Sequence, residues 1–265
     1  MKQAMIFAAG LGTRLKPLTD NMPKALVEVA GHPLLERVLF RLRDAGFDNV
    51  VINVHHFAGQ IIDYLNTNSD FGMNIKISDE TDKLLETGGG IKKARKLFSN
   101  DSPIMIHNVD ILSNVDLDKF YSFGIKEEKT TNEQVGATLL VSERKTKRYL
   151  VFNENMHLVG WTNIETGEVK SPYREVKETI SLLKGVTERR VGKYCLYAFS
   201  GIHSFSPKMF PLMDNYPDKF PIMDFYLENC DKIVIKGYVK DNLRLMDVGK
   251  QETLSEAESF LKTIE

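Results

Sequence analysis

The chain has 265 residues, of which 42% are hydrophobic and 27% are charged, and its formal net charge is -1. This composition is typical of a globular protein with a sizeable core, and the balanced charge argues against a dedicated nucleic-acid-binding protein, which would carry a basic excess. No apolar run is long enough to span a bilayer, and Cys195 and Cys230 are too few for a disulfide framework. We therefore expect a cytoplasmic protein with reduced cysteines, without a membrane or a nucleic acid as partner.

A glycine-rich loop follows the first apolar run of the chain, residues 4–7, which predicts a buried parallel strand. The loop reads Ala8-Ala9-Gly10-Leu11-Gly12-Thr13-Arg14-Leu15-Lys16-Pro17-Leu18-Thr19 and runs on through Met22-Pro23-Lys24-Ala25-Leu26. Leu15 stands where a dinucleotide-binding fingerprint needs a third glycine, and the Gly-Lys-Ser/Thr of a P-loop is missing. The glycines would let backbone N–H groups approach phosphates, Arg14 can donate to two phosphate oxygens, and Lys24 adds a point charge. The pattern therefore predicts a phosphate-binding loop of a different kind, and an ordinary surface loop is the alternative.

The series Gly-x-Gly-Thr-Arg-x-x-Pro-Leu-Thr followed by Pro-Lys-x-Leu resembles the signature of the sugar-1-phosphate nucleotidylyltransferases. In that family a sugar-1-phosphate oxygen attacks the α-phosphorus of a nucleoside triphosphate, and an NDP-sugar and pyrophosphate are formed. The resemblance implies that residues 8–14 bind the nucleotide. It also implies that Arg14 and Lys24 hold the triphosphate and the reacting phosphates.

The next part of the chain alternates helices and strands. Apolar residues at helical spacing predict a helix from about residue 34 to Gly46, an apolar run predicts a strand at residues 50–54, and a second helix is predicted at about residues 58–66. This order predicts a mostly parallel sheet with right-handed crossovers. His55 and His56 follow the second strand, but neighbours on an extended segment point to opposite sides and would not share a metal ion easily. We interpret them as residues at the mouth of the pocket.

A second glycine-rich segment follows a strand predicted at residues 74–78. It reads Glu86-Thr87-Gly88-Gly89-Gly90 and precedes a helix predicted at residues 91–98, with Thr87 as a candidate N-cap. Each glycine is less favourable in a helix than alanine by about 1 kcal/mol, which indicates another requirement for the glycines. The segment resembles the one that contacts the base and the ribose in proteins of this family. Because glycine has no side chain, a flat base and a ribose could lie against the backbone here. A flexible turn is the alternative.

Two aspartates are candidate metal ligands. A strand predicted at residues 103–107 delivers Asn108 and Asp110 to the sheet edge where the first loop begins. Asp110 matches the family's first metal-binding aspartate, although Val109 stands where many members have glycine. Asp247 follows a strand predicted at residues 243–246, and Asp247-Val248-Gly249 resembles the Asp-Ile-Gly that supplies the second ligand. Carboxylates and phosphates suit Mg²⁺; the alternatives are an Asx-turn or cap for Asp110 and a helix-approach residue for Asp247.

The second half of the chain predicts further elements without an intervening linker. Strands are predicted at residues 135–141, 149–152, 158–161, 194–199 and 233–238, and helices at about residues 116–129, 207–213, 222–229 and 251–261. The segments on either side of Asn153-Glu154-Asn155 predict a β-hairpin. The basic run at residues 143–148 is interpreted as a solvated loop or a guard near an anionic pocket, because it lacks the aromatic residues that stack on nucleic acid.

In the family this second half covers the sugar, but the usual Glu-Lys-Pro motif, whose lysine contacts the sugar phosphate, is missing here. Lys170, Lys177 and Lys193 are the candidates for that lysine. Gly201 resembles a family glycine that permits close approach of the sugar, with a plain strand-to-turn glycine as the alternative. Gly160, in the predicted hairpin, is a second candidate substrate-binding glycine.

We predict an α/β protein with a Rossmann-like, mostly parallel central sheet flanked by helices and a β-hairpin sugar-binding subregion. Residues 1–265 are expected to form one domain, with a nucleotide-binding part at about 1–115 and a sugar-binding part at about 116–265. The compact length and the Leu-Glu-Thr-Gly-Gly-Gly segment look most similar to the short N-acetylmuramate-1-phosphate uridylyltransferases and mannose-1-phosphate guanylyltransferases. This resemblance implies that the protein transfers a uridylyl group from UTP to N-acetylmuramate-1-phosphate, with Mg²⁺ as the cofactor. We expect it to be a monomer or a homodimer. The alternatives are a mannose- or heptose-1-phosphate guanylyltransferase, a phosphocholine-type cytidylyltransferase and a nucleotide-binding regulatory protein.

Overall fold

The computed structural model describes residues 1–181 and 189–264. Its strands are β1 (Lys2–Phe7), β2 (Glu28–Val29), β3 (His32–Pro33), β4 (Phe47–Val54), β5 (Asn74–Asp79), β6 (Ile104–Asn108), β7 (Ile111–Ser113), β8 (Val135–Ser142), β9 (Arg148–Phe152), β10 (Leu158–Asn163), β11 (Glu168–Lys170), β12 (Arg190–Val191), β13 (Tyr194–Phe205), β14 (Val234–Val239) and β15 (Leu245–Asp247). Its α-helices are α1 (Leu34–Asp44), α2 (Ala58–Thr67), α3 (Glu86–Ala94), α4 (Leu117–Thr131), α5 (Arg174–Ser181), α6 (Phe210–Met213), α7 (Ile222–Asn229) and α8 (Gln251–Ile264).

The central sheet confirms the predicted α/β architecture. Strands β5, β4, β1 and β6 lie side by side and run parallel. Strand β13 is antiparallel to β6 and joins this parallel group to β8, and β14 lies parallel to β8. Parallel strands present their carboxyl ends at one edge, so the segments after β1, β4, β5 and β6 meet there.

The apolar runs of the parallel strands are explained by helices on both faces of the sheet. In β1, Ala4 and Ile6 belong to a core shared with α1, α4 and α8, while Met5 between them belongs to a core shared with α3, α6 and α7. All three residues are completely buried. Apolar and polar residues do not alternate in this strand because it packs against two cores, one on each side of the sheet.

The predicted hairpin is confirmed and is part of a small third core. Strands β9 and β10 are antiparallel, with Phe152 opposite Leu158, and the Asn153 side chain accepts hydrogen bonds from the N–H groups of Asn155 and His157. The sequence did not predict strand β11, which extends the hairpin beside β10, or helix α5, which covers it through Val176 and Ile180.

Two predicted boundaries are wrong. The helix expected at residues 91–98 is α3, which begins at Glu86 and contains all three glycines. Thr87 is therefore inside the helix and is not its N-cap. The strand expected at residues 194–199 continues to Phe205, because β13 changes partners from β9 to β6 and β8 along its length. Both cysteines are free thiols. None of the helices in the two described ranges is long and apolar enough to cross a membrane.

Candidate active site

The first glycine-rich loop is folded tightly at the carboxyl end of β1. Gly12 has a φ of +64°, and a Cβ atom there would lie 2.9 Å from the Thr19 methyl carbon. The Gly12 carbonyl accepts hydrogen bonds from the Leu15 N–H and the Thr19 hydroxyl, both at 2.8 Å. These contacts bury Leu15 and Thr19 and leave Thr13 and Arg14 at the surface. Glycine at position 12 is therefore required by the left-handed backbone and by the close approach of Thr19.

Ala8 and Ala9 form part of the wall of a cavity beside this loop. Their N–H groups donate to the Asn53 side-chain oxygen, at 2.8 and 3.4 Å, and so already have an acceptor in a residue that itself lines the cavity. The cavity has a volume of about 440 Å³ and is lined by Phe7, Ala8, Ala9, Gly10, Lys24, Asn53, Glu80, Leu84, Glu86, Thr87, Asn108, Val109, Asp110 and Pro221. The two glycine-rich segments and the first predicted metal ligand therefore meet at one cavity, as the sequence predicted.

Lys24 and Asp110 form an ion pair in the floor of this cavity. Lys24 is buried, and its Nζ donates to Asp110 Oδ2. The Asp110 carbonyl accepts a hydrogen bond of 2.9 Å from the Val248 N–H, and Asp247 lies opposite Ile111 in the antiparallel pair of β15 and β7. This short two-stranded sheet brings Asp247 next to Asp110, although the two residues are far apart along the chain.

The electrostatics of Asp247 reflect this neighbourhood. Partial burial of its carboxyl group and then the negative charge of Asp110 raise the pKa of Asp247, while Lys24 and Arg14 act in the opposite direction. Two like charges at close range favour a cation between or beside them.

The donor set of the site fits a small, hard divalent cation. Carboxylate oxygens are the ligands that Mg²⁺ prefers, and it usually takes one or two carboxylates together with phosphate oxygens and water. Within the described residues no group of three or more His, Cys, Asp and Glu side chains could hold a metal ion by itself. The pair of Asp110 and Asp247 therefore fits a metal that arrives with a phosphate ligand.

Gly249 has a role that the sequence reasoning missed. A Cβ atom at this position would lie 2.6 Å from Asp247 Oδ1 and 2.8 Å from an Arg14 guanidinium nitrogen. Both charged groups thus approach the same face of this glycine. The glycine is visible in the sequence as the third residue of Asp247-Val248-Gly249. Only the folded chain shows that it makes room for Arg14 from the first loop.

The reason for the Gly88-Gly89-Gly90 run differs from the predicted one. A Cβ atom on Gly88 would lie 2.4 Å from the Phe220 ring, and one on Gly89 would lie 2.0 Å from the Asp218 carbonyl oxygen. The Gly88 and Gly89 N–H groups both donate to the Phe220 carbonyl. The space left by the missing side chains is therefore filled by the segment before α7 and not by a flat ligand. Glu86, with a φ of +61°, and Thr87 are the residues of this segment that line the cavity.

Thr87 joins this segment to α7. Its hydroxyl oxygen accepts a hydrogen bond of 2.9 Å from the Ile222 N–H, at the start of that helix. His55, expected at the pocket mouth, is hydrogen-bonded through Nδ1 to the Glu80 carbonyl oxygen at 2.6 Å.

Gly201 lies in an irregular part of β13 beside Asn108. Its φ is +73°, and a Cβ atom there would lie 3.0 Å from the Asn108 side-chain nitrogen and 3.0 Å from Ile111. Gly201 therefore brings β13 close to the end of β6. Gly160 packs differently, because its Cβ position faces the Lys170 carbonyl at 3.0 Å and Val176 of α5 at 3.2 Å. The structure thus gives Gly160 a packing role within the hairpin.

A second cavity lies between the hairpin and α7. It has a volume of about 550 Å³ and is lined by Arg144, Thr146, Arg148, Leu150, Trp161, Asn163, Glu168, Lys170, Phe199, Met223, Asp224 and Leu227. Lys170 Nζ lies 3.2 Å from Asp224 Oδ1 and 5.6 Å from the centre of the Trp161 ring.

The other candidate lysines are placed differently. Lys193 pairs with Glu175 at 2.7 Å, and Lys177 is exposed on α5. Lys170 is the candidate that lines a cavity, in the company of Arg144 and Arg148.

Comparison with known proteins shows the family of this chain. The chain matches the Nucleotidyl transferase family over residues 3–263. It is 48% identical over 111 residues to an N-acetylmuramate alpha-1-phosphate uridylyltransferase of Caulobacter vibrioides, a match that covers 41% of this chain and 46% of that protein. The protein of the same description from Neisseria meningitidis serogroup B is 46% identical over 114 residues, which cover 43% of this chain and 49% of the relative.

Solved structures extend the likeness to the whole fold. A putative glucose-1-phosphate thymidylyltransferase from Bacillus anthracis superposes with a TM-score of 0.74 at 17% identity and covers 100% of this chain and 97% of its own. HddC from Yersinia pseudotuberculosis, complexed with GMP-PN, has a TM-score of 0.68 at 22% identity and covers 98% and 100%. Because the family model matches residues 3–263, the chain belongs to the nucleotidyl transferase family. The matches to the two curated relatives span about half of each relative's length.

Proposed function

We propose that this protein transfers a uridylyl group from UTP to N-acetylmuramate-1-phosphate, and that UDP-N-acetylmuramate and pyrophosphate are the products. The observation that carries the proposal is that Lys24 and Asp110 line one cavity together with Glu86 and Thr87. Asp247 lies close enough to Asp110 and Lys24 for their charges to influence its carboxyl group, and Arg14 approaches it at Gly249. The names of the two relatives with 46–48% identity support the choice of base and sugar.

The reaction needs charge neutralisation more than it needs a base. A phosphate monoester has a second pKa of about 6, so the attacking oxygen is already ionised at neutral pH. That oxygen forms a bond to the α-phosphorus of UTP, the bond from the α-phosphorus to the bridging oxygen breaks, and pyrophosphate leaves with the electron pair. Two anions must approach each other for this to occur, and the positive side chains of the site oppose their repulsion.

Arg14 and Lys24 would supply this charge. At an effective dielectric constant near 20, one pair of opposite unit charges about 4 Å apart is worth roughly 4 kcal/mol before desolvation. Arg14 can bind two phosphate oxygens with its planar guanidinium group, whereas Lys24 acts as a point charge. A Mg²⁺ held by Asp110 and Asp247 would supply further positive charge to the phosphate oxygens. The protein's own part is to hold these groups so that attack and departure are in line.

The two cavities suggest a division of the substrates. We assign the nucleotide to the cavity of about 440 Å³, most of whose lining lies within residues 1–115, with Pro221 from the second half. We assign the sugar to the cavity of about 550 Å³ in residues 116–265. N-acetylmuramate carries a carboxylate, and the three cations Arg144, Arg148 and Lys170 suit an acidic sugar, while the Trp161 ring offers an apolar face. Of the three candidate lysines we choose Lys170 as the one that contacts the substrate, and we assign it to the carboxylate of the sugar and not to the sugar phosphate.

A substrate matrix tests the proposal. Purified protein with Mg²⁺ would be mixed with UTP, GTP, CTP or dTTP and with N-acetylmuramate-, N-acetylglucosamine- or mannose-1-phosphate, and pyrophosphate release would be followed. The expected result is the fastest release with UTP and N-acetylmuramate-1-phosphate. A preference for GTP and mannose-1-phosphate would contradict the assigned substrates but keep the reaction, and no release with any pair would contradict both.

A further inference from the structure

Asn53 and Glu80 form a buried polar pair between the two segments that line the nucleotide cavity. Asn53 is 3% exposed and Glu80 is completely buried. The Asn53 side-chain nitrogen donates to Glu80 Oε1 at 2.8 Å. Burial of a carboxylate costs free energy unless its oxygens accept hydrogen bonds. The hydrogen bonds of Glu80 therefore show what keeps this carboxylate in its buried position.

Each member of the pair holds one of the two segments. Asn53 accepts the N–H groups of Ala8 and Ala9, where the phosphate-binding loop begins. Glu80 Oε2 accepts the N–H group of Leu85 at 3.1 Å, immediately before the Glu86-Thr87 segment. A continuous series of hydrogen bonds therefore runs from the first loop through two side chains to the second segment.

The backbone of Glu80 is fixed as well. Its N–H donates to the Val54 carbonyl at 2.8 Å, and its own carbonyl accepts from the Lys83 N–H at 3.0 Å and meets His55 Nδ1 at 2.6 Å. The position of the carboxylate is thus determined by strand β4 and by the turn after β5. Gly90 completes the arrangement, because a Cβ atom there would lie 2.9 Å from Glu80 Oε1 and 3.3 Å from the Asn53 side-chain nitrogen.

We propose that Asn53 and Glu80 are positioning residues that set the separation between the phosphate-binding loop and the Glu86-Thr87 segment. The proposal rests on the proposed function, because it concerns a nucleoside triphosphate bound across this cavity. Such a ligand contacts both segments at once, and its affinity exceeds that of its fragments only if the two segments stand at the right separation. The pair therefore contributes to the affinity for the whole nucleotide and little to the affinity for either fragment.

An exchange of the two functional groups tests the pair directly. In N53D two carboxylates face each other without a proton between them, and in E80Q one oxygen is replaced by a donor that faces the Asn53 donor or the Leu85 N–H. In the double variant N53D/E80Q, the carboxylate at position 53 again accepts from Ala8 and Ala9. The amide nitrogen at position 80 donates to that carboxylate, and the amide oxygen accepts from Leu85. The double variant keeps every hydrogen bond of the series. Only the bond between the side chains at positions 53 and 80 changes, because donor and acceptor are exchanged there.

The measurement is the affinity for UTP, uridine and pyrophosphate, each determined separately by calorimetry or competition. We expect the affinity of each single variant for UTP to fall by roughly tenfold or more. The affinities for uridine and for pyrophosphate should change much less. The double variant should recover UTP affinity to within a few-fold of the unaltered protein. A general loss of structure would weaken binding of all three ligands together. The ratio of the affinity for UTP to the affinities for uridine and pyrophosphate therefore distinguishes a positioning role from a loss of stability.

A third variant covers the case in which the single variants do not fold. G90A keeps both polar side chains but pushes on their contact, and alanine is otherwise the better residue in a helix. The matched control is G59A in α2, where a Cβ atom would meet nothing within 4 Å. We expect G90A to lose UTP affinity selectively and G59A to leave it unchanged.

The outcomes separate this inference from the proposed function. If the unaltered protein binds another nucleoside triphosphate in place of UTP, the assigned base is wrong and the same variants are compared with that nucleotide and its fragments. Binding of none of the four nucleotides would overturn both proposals. Unchanged whole-to-fragment ratios in the single variants and in G90A, or failure of a folded double variant to recover affinity, would overturn the role of the pair.

Discussion

We assigned one cavity to the nucleotide and the other to the sugar, and the two parts of the protein around them, called here the nucleotide side and the sugar side, are built by different means. On the nucleotide side, the backbone and buried groups determine the site: Gly12 is left-handed, Lys24 is buried against Asp110, and Asn53 and Glu80 fix the two segments. On the sugar side, a cavity between the hairpin and α7 is lined by long charged side chains such as Arg148 and Lys170. The first arrangement suits a ligand part common to a family, and the second suits a part that differs among its members.

This difference makes the two sides unequal in their tolerance of mutation. A change in a backbone-determined site displaces several groups at once, whereas a change in a cavity lined by separate side chains removes one contact. We therefore expect mutations on the nucleotide side to lower the turnover rate and mutations on the sugar side to alter sugar selectivity.

The largest effect is expected for the ion pair in the floor of the nucleotide cavity. Lys24→Ala and Asp110→Ala should each lower kcat by about a hundredfold to a thousandfold, as loss of a preorganised charged group does elsewhere. Circular dichroism and thermal melting would check that the fold is kept. Near-normal turnover in either variant would contradict the assigned roles.

A smaller effect is expected when the arrangement of Arg14 and Asp247 around Gly249 is disturbed without removing either charge. Gly249→Ala places a methyl group within 2.6 Å of Asp247 Oδ1 and 2.8 Å of the Arg14 guanidinium group. We expect kcat to fall by about tenfold to a hundredfold, because displacements near 1 Å have effects of this size. Gly59→Ala, in open space, is the control. Equal kcat values in the two variants would show that the arrangement of the two charged groups around Gly249 is unimportant for turnover.

On the sugar side, Arg148→Ala and Lys170→Ala should raise the KM for N-acetylmuramate-1-phosphate by about tenfold, since a hydrogen bond to a charged group is lost. The KM for UTP should change little, and so should the rate with a neutral sugar-1-phosphate. Lys193→Ala, outside the cavity and paired with Glu175, is the matched control. A parallel loss of kcat with every sugar would show that the cavity belongs to the reacting centre instead.

The smallest effect concerns stability in acid, to which both sides contribute. Burial lowers the pKa of His107, in β6, and of His203, in β13, to about 3, from an ordinary value of 6.5. The unfolded chain therefore binds the protons more readily, and the free energy of unfolding falls as the pH drops from about 6.5 towards 3. Each histidine contributes a slope of about 1.4 kcal/mol per pH unit in the middle of this range.

His203→Gln checks this slope, because it removes one titrating group while a polar side chain still faces the Tyr226 hydroxyl, 2.7 Å from His203 Nδ1. Urea unfolding at pH 6 and pH 5 should show a decrease in unfolding free energy that is smaller by roughly 1 kcal/mol in the variant than in the unaltered protein. An identical decrease in both proteins would show that His203 does not titrate differently in the folded state.

The sequence predicted the sheet and the nucleotide loop because both are encoded locally. Uninterrupted apolar runs indicate strands covered on both faces, as the two cores around Met5 show, and glycines at fixed spacing indicate a tight loop. The predicted fold and the position of Asp110 beside the first loop required only the rule that parallel strands end together. Asp247 reaches Asp110 differently, through the antiparallel pair of β15 and β7, and its predicted role came from the resemblance of Asp247-Val248-Gly249 to the family's Asp-Ile-Gly.

The remaining features depend on contacts between distant segments. Nothing in the Gly88-Gly89-Gly90 run indicates that Phe220 and Asp218 occupy its faces, and Asn53 and Glu80 are ordinary polar residues until β4 and β5 place them together. The sugar cavity is likewise assembled from β9, β10, β11, β13 and α7, so neither periodicity nor spacing could select Lys170 from three lysines.

In the proposed reaction an oxygen of a sugar phosphate attacks the α-phosphorus of UTP at the site of Lys24 and Asp110. UTP labelled at the α-phosphorus, incubated with N-acetylmuramate-1-phosphate and Mg²⁺, tests it most directly. The label is predicted to appear in a UDP-sugar, at a rate equal to pyrophosphate release, and to stay in UTP when the Asp110→Ala variant is used. Label in UDP or UMP instead of a UDP-sugar, or an unchanged rate in the variant, would contradict the account.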